Sequence, residues 1–114
     1  MDAVETLLLF DHYGELLTER QKMCLDLKYN QDMSLAEIAE ELGVSRQGVH
    51  ENILRAEAHL QRMEKKTGSV RRYLQSRKAK QAILSSAEKL KNHPDPAVRA
   101  EAEAIIAAAG AIEE

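Results

Sequence analysis

The sequence predicts an all-α fold, and three observations support this prediction. Apolar residues recur at helical spacing along nearly the whole chain, and no segment alternates apolar with polar residues as a half-buried strand would. Residues that cap helices recur where one periodic segment gives way to the next. Of the 114 residues, 44% are hydrophobic but only four are aromatic, so aliphatic side chains must form most of the core.

The first two helices are predicted before residue 31. Residues 2–13 form the first helix, and Gly14 ends it. Thr18 begins the second helix, and Gln21 is placed to complete a reciprocal capping box with it. This second helix is expected to end near Asn30.

Residues 34–60 predict a helix-turn-helix unit. Ser34 caps the third helix, and Glu37 completes a capping box with it. Gly43 permits the left-handed backbone conformation of a sharp turn, and Ser45 caps the fourth helix. The buried stripe of the third helix is expected to consist of Leu35, Ile38, Ala39 and Leu42.

The fourth helix is expected to continue well past this unit. Apolar residues keep helical spacing from Val49 to Met63. The sequence Thr67-Gly68-Ser69 breaks the helix, and Ser69 is predicted to cap a fifth helix that ends near Lys91.

An Ala-rich sixth helix is predicted after the next break. Asp95 is a natural N-cap, Pro96 suits the first helical position, and the helix would end near Ala109. The expected organisation is a four-helix segment over 1–66, followed by the basic fifth helix and the Ala-rich helix over 67–114. We expect the two segments to pack as one domain.

The net charge of −3 conceals a strong segregation of charge. Residues 1–60 carry five Lys/Arg against twelve Asp/Glu, whereas residues 61–91 carry ten against two. Residues 92–114 are acidic again, with one Arg against five carboxylates. A polyanion such as nucleic acid would therefore find positive charge after the helix-turn-helix rather than within it.

Several other classes of function are not indicated by the sequence. No apolar run is long enough for a transmembrane span, no signal peptide is recognisable, and the single Cys24 cannot form an internal disulfide. We therefore expect a cytoplasmic protein. The four histidines lack the spacing of metal ligands, and there is no P-loop, dinucleotide-binding turn or nucleophile elbow. No enzyme activity, catalytic residue, metal or cofactor is expected.

Residues 17–60 resemble region 4 of bacterial sigma factors. The resemblance is carried by LTERQKMCLDLKY, by SLAEIAEELGVS, and by a recognition helix with Val49, Ile53 and Arg55-Ala56. Over essentially residues 1–90 the chain is similar to the YlxM-like family of small helix-turn-helix proteins, which add a basic tail similar to GSVRRYLQSRK. The stretch SRQGVH is the most specific part of this match. The resemblance implies a sigma region 4-like bundle with a C-terminal helical extension.

That family is encoded beside the genes of the signal recognition particle, which implies a role in that pathway or in its regulation. The resemblance implies no catalysed reaction. The expected function is a regulatory protein that binds nucleic acid, either DNA or signal recognition particle RNA, or protein components of that pathway. Two alternatives stay open, namely a sequence-specific DNA-binding transcriptional regulator and an oligomeric scaffold that binds no nucleic acid.

The first candidate binding set lies at the start of the recognition helix. If this helix docks on DNA as the sigma fragment does, Arg46 would contact guanine or phosphate, Gln47 adenine and Glu51 cytosine. Against this, Gly48 weakens the helix, and Glu51 and Glu57 are expected to face or flank the same groove. The whole candidate set is Ser45, Arg46, Gln47, His50 and Glu51.

The second candidate binding set lies on the basic fifth helix. Its cations are spread around the helix with partial clustering, and they could follow a nucleic-acid backbone while Tyr73 stacks on a base. The alternative is a solvated face that pairs with the acidic N-terminal half. The set consists of Arg71, Arg72, Arg77, Lys78 and Lys80.

The apolar residues exceed what a small bundle easily buries, which favours a homodimer. The apolar run from Leu7 to Phe10 covers more than one face of the first helix, and further apolar surfaces are expected around Leu84 and Ile105. A two-fold dimer buries such a patch twice. The alternative is that the terminal helices fold back on their own core.

Overall fold

The computed structural model describes residues 2–112, and within that range every regular element is helical. The six α-helices confirm the predicted all-α fold. A 3₁₀ turn, Gly14–Leu16, follows the first helix, and a π-helical turn, Asp26–Asn30, extends the second. The helices are α1 (Ala3–Tyr13), α2 (Glu19–Leu25), α3 (Leu35–Leu42), α4 (Arg46–Thr67), α5 (Ser69–Leu90) and α6 (Pro96–Gly110).

Most of the predicted helix starts are confirmed by their cap hydrogen bonds. Thr18 and Gln21 form the reciprocal capping box of α2, and Ser34 and Glu37 form that of α3. The Asp95 carboxylate accepts from the Ala97 N–H at 2.9 Å, with Pro96 at the first position of α6. These pairs satisfy backbone N–H groups that have no partner inside the helix.

The chain divides into two compact units, one that ends at Val70 and one that begins at Arg71. In the first unit α4 is the central helix, and it packs against α1, α2 and α3. The core of this unit consists of Leu9, Tyr13, Leu17, Cys24, Leu25, Ile38, Ala39, Val49, Ile53, Ala56, Leu60 and Val70. The packing of 1–66 and 67–114 as a single domain stays a prediction.

The turn of the helix-turn-helix has the predicted geometry. Gly43 adopts φ +66°, ψ +36°, and its N–H bonds back to the end of α3. Of the predicted stripe on α3, Ile38 and Ala39 are buried, whereas Leu35 and Leu42 are half-buried against the core. The turn therefore directs α4 across α3 with the start of α4 exposed to solvent.

Gly14 ends α1 for a different reason from the one expected of a helix-ending glycine. Its φ is −55°, in the right-handed region, and the chain continues into the 3₁₀ turn. The Phe10 ring packs directly on it, since a Cβ at Gly14 would lie 2.7 Å from Phe10 Cδ1. A close side-chain contact, not backbone freedom, requires glycine here.

Tyr13, Glu64, Thr67 and Val70 form a polar junction at the end of α4. The Tyr13 hydroxyl donates to Glu64 Oε1 at 2.7 Å and also hydrogen-bonds to Thr67 Oγ1. The Val70 N–H donates to the same Glu64 oxygen at 3.0 Å, and the Ser69 N–H donates to Thr67 Oγ1 at 3.2 Å. Ser69, predicted as the cap, is thus the first residue of α5, and side chains of α4 accept from its first N–H groups.

In the second unit α5 and α6 run antiparallel. Lys80 Nζ donates to the Ile112 carbonyl at 3.2 Å, and residues of α5 from Ala82 to Leu90 share a groove with Ile105. The buried residues of this unit are Ala87, Ala102 and Ala109. Within residues 2–112 no helix is long and apolar enough to cross a membrane.

Candidate nucleic-acid interface

The start of α4 is fixed by Ser45. Its hydroxyl oxygen accepts the Gly48 N–H at 2.9 Å, so this predicted site residue serves as the N-cap of the recognition helix. The same hydroxyl can still donate its proton to a phosphate oxygen. A Cβ at Gly48 would lie 3.1 Å from this oxygen, and the Gly48 carbonyl accepts from Asn52 Nδ2 at 2.9 Å.

The other four predicted residues of this set lie together on the first two turns of α4. Arg46, Gln47, His50 and Glu51 are all exposed. At about 100° per residue they span an arc of about 140° around the helix. Arg46, Gln47 and His50 line a groove with Leu35 of α3, and Gln47 Nε2 lies 3.4 Å from Glu51 Oε1. This arc presents donors and acceptors of the kind that read base edges.

Glu57 lies in line with this arc, about 20° around α4 from Arg46 and further along the helix, and its carboxylate is held by a hydrogen bond. It accepts a hydrogen bond of 2.5 Å from the Tyr29 hydroxyl, which belongs to the π-helical turn after α2. Burial and this hydrogen bond raise the pKa of Tyr29 to about 12. Of the two carboxylates expected to face or flank the groove, that of Glu57 is therefore engaged within the first unit, whereas Glu51 is exposed.

Two cations of the basic segment 61–91 lie on the outward face of α4. Arg62 and Lys65 are exposed, and Lys65 lies in line with Gln47, five helical turns or about 27 Å further along the axis. The charge balance of the helix-turn-helix extends only to Leu60 and therefore does not include Arg62 and Lys65. The helical spacing of apolar residues up to Met63 already placed them on the same helix.

The predicted binding residues of the basic helix α5 differ in their exposure to solvent. Arg71, Arg72, Arg77 and Lys78 are exposed, whereas Lys80 is half-buried and donates to the Ile112 carbonyl. Because α6 ends at the level of Lys80, these four exposed cations lie on the part of α5 that extends past α6. They surround the helix, with Arg71 and Lys78 about 20° apart and the others further round.

No carboxylate lies in the chain between Glu64 and Glu88, whereas seven cations do. Glu88 pairs with Lys91 at 3.1 Å and lies about 15 Å along α5 from Lys78, beyond a Debye length of about 8 Å. Arg71, Arg72, Arg77 and Lys78 are therefore distant from Glu88, the one carboxylate on their own helix. Such a stretch attracts phosphate groups.

The described residues show no arrangement suited to metal binding. Among residues 2–112, no group of three or more His, Cys, Asp or Glu side chains could hold a metal ion. Cys24 is fully buried, and burial raises the pKa of its thiol, which keeps the sulfur protonated.

The chain matches the model of a known protein family. The model of the family UPF0122, described as "Putative helix-turn-helix protein, YlxM / p13 like", matches residues 2–96, which cover α1 to α5 and end where α6 begins. A UPF0122 protein of Acetivibrio thermocellus is 54% identical over 85 residues, covering 74% of this chain and 73% of that protein. One of Desulforamulus reducens is 45% identical over 78 residues, covering 68% and 67%, and one of Listeria innocua is 51% identical over 71, covering 62% and 64%.

Proposed function

Because this chain belongs to the UPF0122 family of putative helix-turn-helix proteins, YlxM / p13 like, we propose that it is a nucleic-acid-binding regulatory protein. We further propose that it acts in the cytoplasm, as a binding protein rather than an enzyme, in the signal recognition particle pathway. The link to that pathway is supported by the family resemblance. The binding role is supported by the arrangement of charge on α4 and α5.

One observation carries the proposal. The seven cations between Glu64 and Glu88 include four exposed ones on the part of α5 that α6 does not cover. Phosphate contacts supply much of the affinity of proteins for nucleic acids, and they do so without reading sequence. This distribution favours RNA or duplex DNA as the ligand, and signal recognition particle RNA is the RNA that the family resemblance implies.

The test is fluorescence anisotropy of labelled signal recognition particle RNA and of random duplex DNA, each at low and at moderate salt. We expect tighter binding to the RNA and a strong decrease of affinity with salt. Replacing Arg71, Arg72, Arg77, Lys78 and Lys80 by Gln should abolish this binding. The matched control changes the three arginines of this set to Lys, which keeps the charge and should keep most of the affinity. Full RNA binding by the neutralised variant would refute the proposal.

A second candidate function is sequence-specific DNA binding, and the exposed arc at the start of α4 favours it. Arg46→Ala with Gln47→Ala should then abolish the preference for a selected DNA sequence without changing the fold. Arg20→Ala with Gln31→Ala removes the same side-chain types at exposed positions outside the helix-turn-helix and serves as the control. An unchanged footprint in the first double variant would exclude this function.

We also propose that the protein is a homodimer and that its partners include protein components of the signal recognition particle pathway. Binding to neither nucleic acid would favour the remaining alternative, an oligomeric scaffold. The oligomeric state is measured separately from nucleic-acid binding, so the two parts of the proposal can fail independently.

A further inference from the structure

An apolar groove runs along the α5–α6 hairpin in the second unit. The large side chains in it are substantially exposed, with Ile83 at 44%, Leu90 at 43% and Ile105 at 41%. The hairpin thus leaves most of its large apolar side chains incompletely covered. The groove is lined by Ala82, Ile83, Ser86, Ala87, Leu90 and Ile105.

The hairpin buries too little of its own apolar surface to explain these side chains as core. Its buried residues are three alanines, each of which removes only a methyl group from water. A helix with an apolar face is stable in water when that face packs against another element. The groove therefore has the character of a contact surface.

The apolar run of α1, which the sequence also suggested as a contact surface, packs in the core of the first unit. Leu9 of α1 is buried in the core of the first unit, and Leu8 and Phe10 pack against that core. Among the apolar surfaces that the sequence suggested, the groove on the hairpin keeps large apolar side chains substantially exposed.

The groove matches a second copy of itself in charge and in shape. On one side α5 carries the exposed Lys89, and on the other α6 carries the exposed Glu101. A two-fold axis that sets α5 of one copy along α6 of the other places Lys89 beside Glu101 of the second copy. Small residues, such as Ala82, alternate with the large ones, so the ridges of one copy can enter the grooves of the other.

We propose that this groove binds the same groove of a second copy, so that the two hairpins form a two-fold symmetric four-helix bundle. The inference rests on the homodimer of the proposed function and names its interface. The pairing begins at Ala82, so Arg71, Arg72, Arg77 and Lys78 lie outside it.

The test is sedimentation equilibrium of the full-length chain over a wide range of concentration. The wild type should be a dimer, and Ile83→Glu should raise the dimer Kd at least about a hundredfold, because the interface would bury an unpaired carboxylate. Ile105→Glu should act in the same way. The control is Leu16→Glu, which places the same charge at a residue that is 66% exposed outside the hairpin and should leave the dimer intact.

Circular dichroism of each variant shows whether it still folds. Ile83→Ala adds no charge and should still raise the dimer Kd about tenfold. A wild type that stays monomeric would overturn both the dimer and this inference. A dimer that survives Ile83→Glu and Ile105→Glu, or one that Leu16→Glu disrupts instead, would overturn the proposed interface alone. RNA anisotropy of the same variants reports separately on the nucleic-acid function.

Discussion

Tyr29 and Glu57 lie 28 residues apart in the sequence and share a hydrogen bond in the first unit. Burial, with the hydrogen bond to Glu57, raises the pKa of Tyr29 from 10 to about 12. The folded protein therefore holds the phenolic proton more tightly than the unfolded chain does. The pair contributes its full stability below about pH 10, and this contribution is lost as the pH rises toward 12.

We expect Glu57→Gln to lower the pKa of Tyr29 but not to return it to 10. The amide still accepts a hydrogen bond but carries no charge, while burial continues to disfavour the phenolate. The measurement is an ultraviolet absorbance titration of the three tyrosines in the wild type and the variant. Tyr29→Phe should remove the step at the highest pH and so assign it. A last step that stays at the same pH in Glu57→Gln would contradict the role of the Glu57 charge.

A second prediction at the scale of single residues follows from the contact between Gly14 and the Phe10 ring. Gly14→Ala should destabilise the protein by about 1–3 kcal/mol, because the new methyl group overlaps the ring and the core must shift. Gly110→Ala is the matched control, since nothing lies within 4 Å of a Cβ there. Urea unfolding of both variants checks the difference, and equal midpoints would refute the close contact.

At the scale of elements, the turn between α3 and α4 depends on backbone conformation alone. Gly43 has φ +66° and open space around its Cβ position, so a side chain there costs backbone strain without a clash. We expect Gly43→Ala to destabilise the protein by about 1–2 kcal/mol. Gly43→Asn should cost less, since asparagine tolerates the left-handed region better. Urea unfolding that ranks asparagine below alanine would contradict this explanation.

The helices and their caps could be predicted because the signals are local. Ser34 and Glu37, or Asp95 and Pro96, lie within a few residues of each other, so the sequence shows the interaction directly. The bonds from Tyr29 to Glu57 and from Tyr13 to Glu64 join residues 28 and 51 positions apart, and no local pattern reveals them.

The candidate site was predictable to a similar degree. Helical spacing was enough to group Arg46, Gln47, His50 and Glu51 on one exposed arc. The hydrogen bond that Glu57 accepts depends on the tertiary contact with Tyr29, and the contact of Lys80 with the Ile112 carbonyl depends on the α5–α6 hairpin. Neither contact follows from the spacing of residues along one helix.

At the scale of the whole molecule, the two units differ in what they bury. The largest fully buried side chains, among them Leu25, Ile38, Ile53 and Leu60, all belong to the first unit. The second unit buries alanines. Most of the hydrophobic contribution to folding therefore comes from the first unit.

We expect a fragment that ends at Gln75, somewhat more than one helical turn past Val70, to unfold cooperatively. It keeps every large buried side chain and the hydrogen bonds of the Tyr13–Glu64 junction. A fragment of residues 71–114 should show weak helicity and no cooperative transition at low concentration, because a short hairpin without a core is marginal in water. Thermal circular dichroism of both fragments tests this, and cooperative melting of the second with no transition in the first would reverse the assignment.

The burial of Cys24 gives the protein an internal reporter of its own fluctuations. The chain has one thiol, and that thiol is fully covered inside the first unit. A maleimide can modify it only in molecules whose helices have separated, so the labelling rate measures the population of opened molecules under native conditions. Ligands that bind the closed first unit would slow this chemistry in proportion to their occupancy, without any added dye or engineered site.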